Sequence, residues 1–383
     1  DQGSAMDSEH ENRLDFLINQ GVLLVDRRQT YVAGDVDLER IFPGAKLYPG
    51  TRLEGARTVI APNAQIGSEG PATIQSSVVG RNAEVASGFL NHAVLLDRSR
   101  AGSNCHFRGG TILEEEASTG HAVGLKQTIL MCFVTAGSLI NFCDCLMSGG
   151  RSRKEHSEIG SGFIHFNYTP WGQYGDKATA SLIGNVVDGV FLDRDRIFLG
   201  GLAGMVGPEQ IGFGAFTAAG QVIRQSVSNN SIHSEAGIDK SGEWQAGRLD
   251  HSVDRAMANL SYLSQLAALR TWYRDVRLHR AMHCGSDPSL RIITTEALST
   301  IEDCIGERVK RFNSFAAERD MGQLSLADIN RPHEGPPAVD WETSKEYTNW
   351  VIDLNPSKKS QLRDWLYSIA SSTKEHMVER TGL

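Results

Sequence analysis

The stretch Leu199-Gly200-Gly201-Leu202-Ala203-Gly204-Met205-Val206-Gly207-Pro208-Glu209-Gln210-Ile211-Gly212-Phe213-Gly214-Ala215-Phe216-Thr217-Ala218-Ala219-Gly220-Gln221-Val222-Ile223 decides the fold. Leu199, Met205, Ile211, Thr217 and Ile223 fall six apart, and Gly200, Gly207 and Gly212 sit at or near the turns. An amphipathic helix needs spacings of three and four, and a sandwich strand alternates at two. A period of six is that of a left-handed β-helix, in which each hexapeptide forms one face of a triangular coil. Each hexad turns one aliphatic side chain inward and makes one tight corner that favours small residues. Working back toward the N-terminus, Ile41, Leu47 and Leu53 repeat the spacing, Ile60 and Ile66 continue it after a slip of one, and Val79 and Val85 repeat it again. Two separate runs argue against a sandwich with coincidental spacing.

Other segments depart from the hexads. Asp1 to Ala5 read as a tag remnant ahead of Met6, followed by a short helix from Leu14 and an entry strand near Val22. Between Asn91 and Ala180 the sixes are lost, although residues 128–134 and 163–168 suit strands. Residues 147–155, polar and containing Gly149-Gly150, read as a loop thrown out from a coil. After Gln225 the hexads stop. Tyr262, Leu266, Leu269, Tyr273 and Val276 then form a helical stripe, and Leu298, Ile301, Ile305, Val309 and Phe312 form a second. Residues 341–354 and 362–373 suit two more helices, separated by Asn355-Pro356. The expected organisation is a tag remnant, helix and entry strand over 1–34, a left-handed parallel β-helix over 35–225, a linker over 226–247 and an α-helical domain over 248–383.

The chain has 383 residues, 39 of them glycine and only 11 proline, which suits many tight turns in an ordered chain. A net charge of −8 gives no electrostatic reason to bind nucleic acid or an anionic membrane. No apolar run approaches the length of a membrane span, and no secretory leader is evident. Six scattered cysteines fit reduced thiols, so a cytoplasmic setting is expected. Cys143-x-Cys145 has no second pair, and no metal is expected.

Several motifs in order carry a family resemblance: Gly21-Val22 with Asp26 and Thr30-Tyr31, Ile159-Gly160-Ser161-Gly162 before Asn167-Tyr168, Phe198-Leu199-Gly200-Gly201, and Ala218-Ala219-Gly220. Residues from about 14 to 225 resemble the C-terminal acetyltransferase half of the bacterial bifunctional enzyme that makes UDP-N-acetylglucosamine. Nothing resembles that enzyme's uridylyltransferase half. The resemblance implies a homotrimer with sites between neighbouring prisms, an acetyl-CoA or other acyl-CoA co-substrate and an amino-sugar phosphate or related anionic amine as acceptor. Arg108 matches the arginine and Lys126 the first lysine that hold the sugar phosphate; a guanidinium fork and a point charge both suit such an anion. Asp144 falls where the family has an aspartate, and Asn141 stands where it has a tyrosine; both are expected at the acceptor. Asn167, Tyr168, Gly201 and Ala219 match positions along the coenzyme.

Ser138 occupies the place of the family's histidine base, and a serine hydroxyl does not take a proton at neutral pH as imidazole does. His92, His106, His121, His156 and His165 lie in the irregular middle. His165, two residues before Asn167 and so expected on the same strand face, is the first candidate base, and Glu158 the second. Arg151, Arg153 and Lys154 are available to clamp an anion. The expected function is an acyl-CoA-dependent N-acyltransferase. The alternatives are a sugar-nucleotide or metabolite-binding protein without catalysis and a zinc-dependent hydrolase or lyase on a trimeric β-helix.

Overall fold

The computed structural model describes residues 2–168, 177–235, 252–283, 287–339, 341 and 344–383. It is a left-handed parallel β-helix of about eleven coils with a C-terminal helical domain. Every strand pairing runs parallel, each coil stacking on the next. Three faces result. Face A runs from Leu23–Leu24 to Ile232–His233, face B from Tyr31–Val32 to Val222–Ile223, and face C from Val59–Ile60 to Gln210–Ile211. The hexad residues of the sequence reading, Leu47, Ile66, Val85, Leu199 and Ile211 among them, fill the prism interior. A Cβ on Gly200 would lie 2.5 Å from the carbonyl carbon of Ala218, so the neighbouring coil leaves no room for one.

The solenoid extends beyond Gln225. Val227 bridges Ile211, and Ile232–His233 pairs with Phe216–Thr217. The rest of the expected linker, residues 236–247, lies outside the described residues, as does Cys284. At the other end, α1 (Gln2–Asn19) is longer than the short helix expected and includes most of the residues read as a tag remnant. Its Leu14 and Leu17 close the bottom of the interior. Residues 148–157 do leave the coil, returning through a bridge between Gly150 and His156.

A short helix α2 (Val186–Gly189) interrupts the upper coils. The helical domain comprises α3 (Ser252–Trp272), α4 (Leu278–His283), α5 (Pro288–Ala317), α6 (Leu326–Ile329), α7 (Tyr347–Asp353) and α8 (Pro356–Thr381). Asn355-Pro356 begins α8: the Asn355 side chain accepts from Lys358 N at 2.8 Å, and proline at the first turn needs no amide partner.

This domain covers face C. The sequence there is a ladder of apolar doublets: Val59-Ile60, Val78-Val79, Val94-Leu95, Ile112-Leu113, Ile129-Leu130, Leu146-Met147 and Leu182-Ile183. The second member of each doublet enters the prism, while the first packs outward into one cluster with Leu260, Leu263, Ile301, Ile305 and Leu366 of the helices. Full burial of such a side chain stabilises by about 1.5–3 kcal/mol. Arg277 spans Glu114 and Glu115, and Tyr273 Oη donates to Glu114 at 2.6 Å, all buried. Two corners of face C are therefore pinned by ions as well as covered by hydrocarbon, since Arg308 and Arg311 of α5 reach Asp144 at the B–C corner. Among the described residues no helix is long and apolar enough to cross a membrane.

Candidate functional site

Arg108, Lys126 and Cys143 occupy one outward position on three successive coils of face B. Arg108 N donates to Leu125 O at 2.9 Å, and Lys126 is in register with Cys143. Adjacent strands lie about 4.8 Å apart, so the two cations are near enough to share one anion. Arg108 Nη2 lies 3.8 Å from Cys143 Sγ, and neither Arg108 nor Lys126 has a carboxylate partner among the described residues. Asn141 faces outward on the same strand as Cys143, and its Oδ1 lies 3.4 Å from Cys143 Sγ. Burial, with Asp144 next to it, pushes the Cys143 thiol up, so it stays a thiol beside the cations.

The strip ends at the B–C corner, where Ser76, His92, Gly110, Gln127 and Asp144 carry positive φ on successive coils. Asp144 is turned toward the helical domain. Its Oδ1 accepts from Arg308 and, at 3.0 Å, from Arg311 Nη1, and its Oδ2 accepts from Asn167 Nδ2. At 2% exposed, Asp144 offers no open contact to an acceptor; it anchors α5 and holds Asn167. Tyr168, exposed, follows Asn167 at the same edge of face B.

His165 is not on the face that carries Asn167. It lies inside the prism between Phe142 and Met205, 2% exposed. Its Nδ1 is 2.6 Å from Cys143 O and its Nε2 2.8 Å from Ser181 Oγ, so both ring nitrogens are occupied. Burial pulls its pKa down to about 4. Residues two apart share a face only while the strand stays straight; the strand ends at Phe166, and the turn into the corner separates His165 from Asn167. His165 is a structural histidine, which corrects its expected place in the groove.

Glu158 points outward on face A, with His156 Nε2 3.4 Å from its Oε2. Ser138 sits at the A–B corner, where its Oγ accepts from His121 N at 3.2 Å. His121 is exposed, and its ring makes no hydrogen bond among the described residues. Sequence reasoning named His121 only as one histidine among five. Its signal was its spacing: it lies 17 residues before Ser138, one coil below on the same corner. Gly201 and Ala219 continue that corner two and three coils further on, with Gly220 N donating to Gly201 O at 3.0 Å. Within one chain, Asn167 and Tyr168 are therefore on the opposite edge of face B from Gly201 and Ala219.

A groove of about 550 Å³ lies on face A, lined by Arg100, Ser118, His121, Thr135, Ser138 and Arg153. The 148–157 excursion folds over it: Arg153 Nη1 donates to Glu116 O at 2.7 Å and lies 3.4 Å from Thr135 Oγ1. Arg151 pairs with Asp195 at 2.6 Å, away from the groove. Cys143 faces out while Cys145 belongs to the interior cluster, so the two thiols lie on opposite sides of the prism wall and do not share a ligand.

The chain resembles curated proteins called Bifunctional protein GlmU. That of Desulfitobacterium hafniense is 29% identical over 237 residues, covering 62% of this chain and 46% of the relative. That of Nocardia farcinica is 30% identical over 223 residues, covering 58% and 40%, and that of Shouchella clausii is 26% identical over 215 residues, covering 56% and 41%. The chain thus spans less than half the length of the relatives it matches, and the matched part is their C-terminal half. No family model matches the chain.

Proposed function

We propose that the chain is an acyl-CoA-dependent N-acyltransferase acting on an anionic amine such as an amino-sugar phosphate. The observation that carries this reading is the pair Arg108 and Lys126, on adjacent coils of an exposed strip and free of carboxylates among the described residues. The likeness to the C-terminal half of GlmU supplies the reaction class. In that reaction the amine nitrogen attacks the thioester carbonyl. A C–N bond forms, the C–S bond breaks, coenzyme A leaves as thiolate, and the amine proton passes to a base. With His165 inside the prism, the base candidates are Glu158 and His121. A backbone N–H near Gly201 would serve the oxyanion, those of Gly200 and Leu202 already donating to Thr217 O and Ser161 O. Glu158 and His121 belong to face A and the A–B corner, whereas the cation strip belongs to face B. A complete site therefore needs face A of one protomer against face B of the next, as in a homotrimer. Reduced thiols in a cytoplasm suit this chemistry.

Thiol release from acetyl-CoA and longer acyl-CoAs, screened against amino-sugar phosphates, tests the proposal. Turnover that falls about 10²-fold or more in His121→Ala or Glu158→Gln supports it. A second reading, a metabolite-binding protein without catalysis, is favoured by Ser138 in the place of the family's histidine. Tight binding of a sugar phosphate with no thiol release from any acyl-CoA would select it and reject acyl transfer.

A further inference from the structure

Asn167 is held by Asp144 of the β-helix, and Asp144 is held in turn by the helical domain. Asp144 Oδ1 accepts from Arg308 and Arg311 of α5, and Asp144 Oδ2 accepts from Asn167 Nδ2. A carboxylate only accepts, so it fixes which end of the Asn167 amide faces it. The NH2 group is turned to Asp144, and the carbonyl Oδ1 is left as an acceptor with no partner among the described residues. Thr179 Oγ1 donates to Asn167 O at 2.7 Å and holds the backbone of the same residue. Arg311 is itself braced by Glu307, which accepts from its Nε at 2.7 Å. Among the described residues, Arg308 Nε and Nη1 have no partner in the interior, and Asp144 is the one carboxylate that pairs with it.

We propose that Arg308 and Arg311 are positioning residues: acting through Asp144, they set Asn167 Oδ1 as the acceptor for a ligand amide N–H at the B–C edge of face B. This rests on the reading of face B as a ligand site, and it makes α5 part of that site. The chemistry is a secondary amide, which the pantetheine arm of a coenzyme A and an N-acylated sugar phosphate both carry. Arg311, at the margin of the cluster, is the position to vary, because Arg308 remains to hold Asp144.

Calorimetric titration of the full chain with pantetheine and, separately, with N-acetylglucosamine 1-phosphate distinguishes the two sources. The probe whose affinity depends on Asn167 is the one that uses it. Arg311→Gln and Asn167→Ala are each expected to weaken that probe about tenfold, the worth of one hydrogen bond, and Arg311→Lys to restore most of it. Inorganic phosphate, held by Arg108 and Lys126, keeps its affinity in Arg311→Gln. A merely structural salt bridge would lower the melting temperature and leave the affinity of the folded protein unchanged, so unchanged affinity for both probes overturns the proposal. So does a wild-type chain that binds neither probe. Probe binding that depends on Asn167, without thiol release from any acyl-CoA, rejects acyl transfer and keeps this inference. Turnover that is indifferent to Asn167 and Arg311 does the reverse.

Discussion

Two cations one coil apart on an open strand face repel each other, and no carboxylate among the described residues relieves Arg108 or Lys126. An anion would. Arg108→Ala and Lys126→Ala are each expected to weaken binding of a phosphorylated acceptor by about 1.5–3 kcal/mol, the worth of a charge-assisted hydrogen bond, with unchanged circular dichroism. Equal affinities in wild type and both variants would remove the site. His165 presents the opposite case, a titratable group with no access to a ligand. Its folded-state pKa of about 4 lies below the ordinary 6.5, so the unfolded chain binds its proton more readily. Its contribution is fully present above pH 6.5 and is lost as the pH falls toward 4. The difference corresponds to about 3 kcal/mol for a fully buried ring. Urea unfolding of wild type between pH 7.5 and 4 is expected to fall by that amount more than in His165→Gln. Parallel pH profiles would show that the ring does not titrate as its burial implies.

At the scale of elements, the prism was legible because its inward positions recur at a strict period, and the helical domain because its stripes recur at three and four. Their joint surface was equally present in the sequence but went unread. Val78-Val79, Val94-Leu95, Ile112-Leu113 and Ile129-Leu130 are doublets, and a half-exposed strand needs only one apolar residue of each pair. The extra one marks face C as covered. A substitution on the outer member should undock the helices and spare the coils. Ile112→Asp places an unpaired charge under α5 at a cost of several kcal/mol, whereas Leu113→Asp places it inside the prism. Hydrogen exchange is expected to show α3 and α5 opening in Ile112→Asp while face A stays protected, and the whole chain unfolding in Leu113→Asp. Uniform exchange in Ile112→Asp would mean that coils and helices fold as one unit. The candidate site was less legible for a related reason. Which way a side chain turns at a corner depends on the backbone there, and motif matching placed His165 by its distance from Asn167 without seeing the turn between them. Asp144 was missed as an anchor because Arg308 lies 164 residues away.

At the scale of the whole molecule, covering face C leaves face B, the part of face A that residues 148–157 do not cross, and the corner between them open. That corner is unusual in composition. Ala122, Leu139, Gly162, Leu202 and Gly220 form its ladder, all at positive φ. Gly162 and Gly220 adopt this conformation freely, but a leucine pays roughly 1–2 kcal/mol for it. Leu139 and Leu202 bear that strain while 62% and 82% exposed, so they gain nothing within the protomer. Ile164 and Phe166 on face B and Phe216 on face A extend the exposed apolar surface to either side. An apolar ridge flanked by the open parts of two faces suits a threefold axis, with each prism laying face A against face B of the next and the helical domains outward. The same packing would bring His121 and Glu158 of one protomer toward the cation strip of its neighbour, so assembly and activity should fail together. Light scattering at micromolar concentration is expected to give three times the chain mass of 41.8 kDa. Leu139→Asp with Leu202→Asp, which adds two like charges at the axis from every subunit, should give folded monomers without thiol release. A wild-type monomer, or a charged variant that keeps both its mass and its activity, would place the site within a single prism and leave these leucines unexplained.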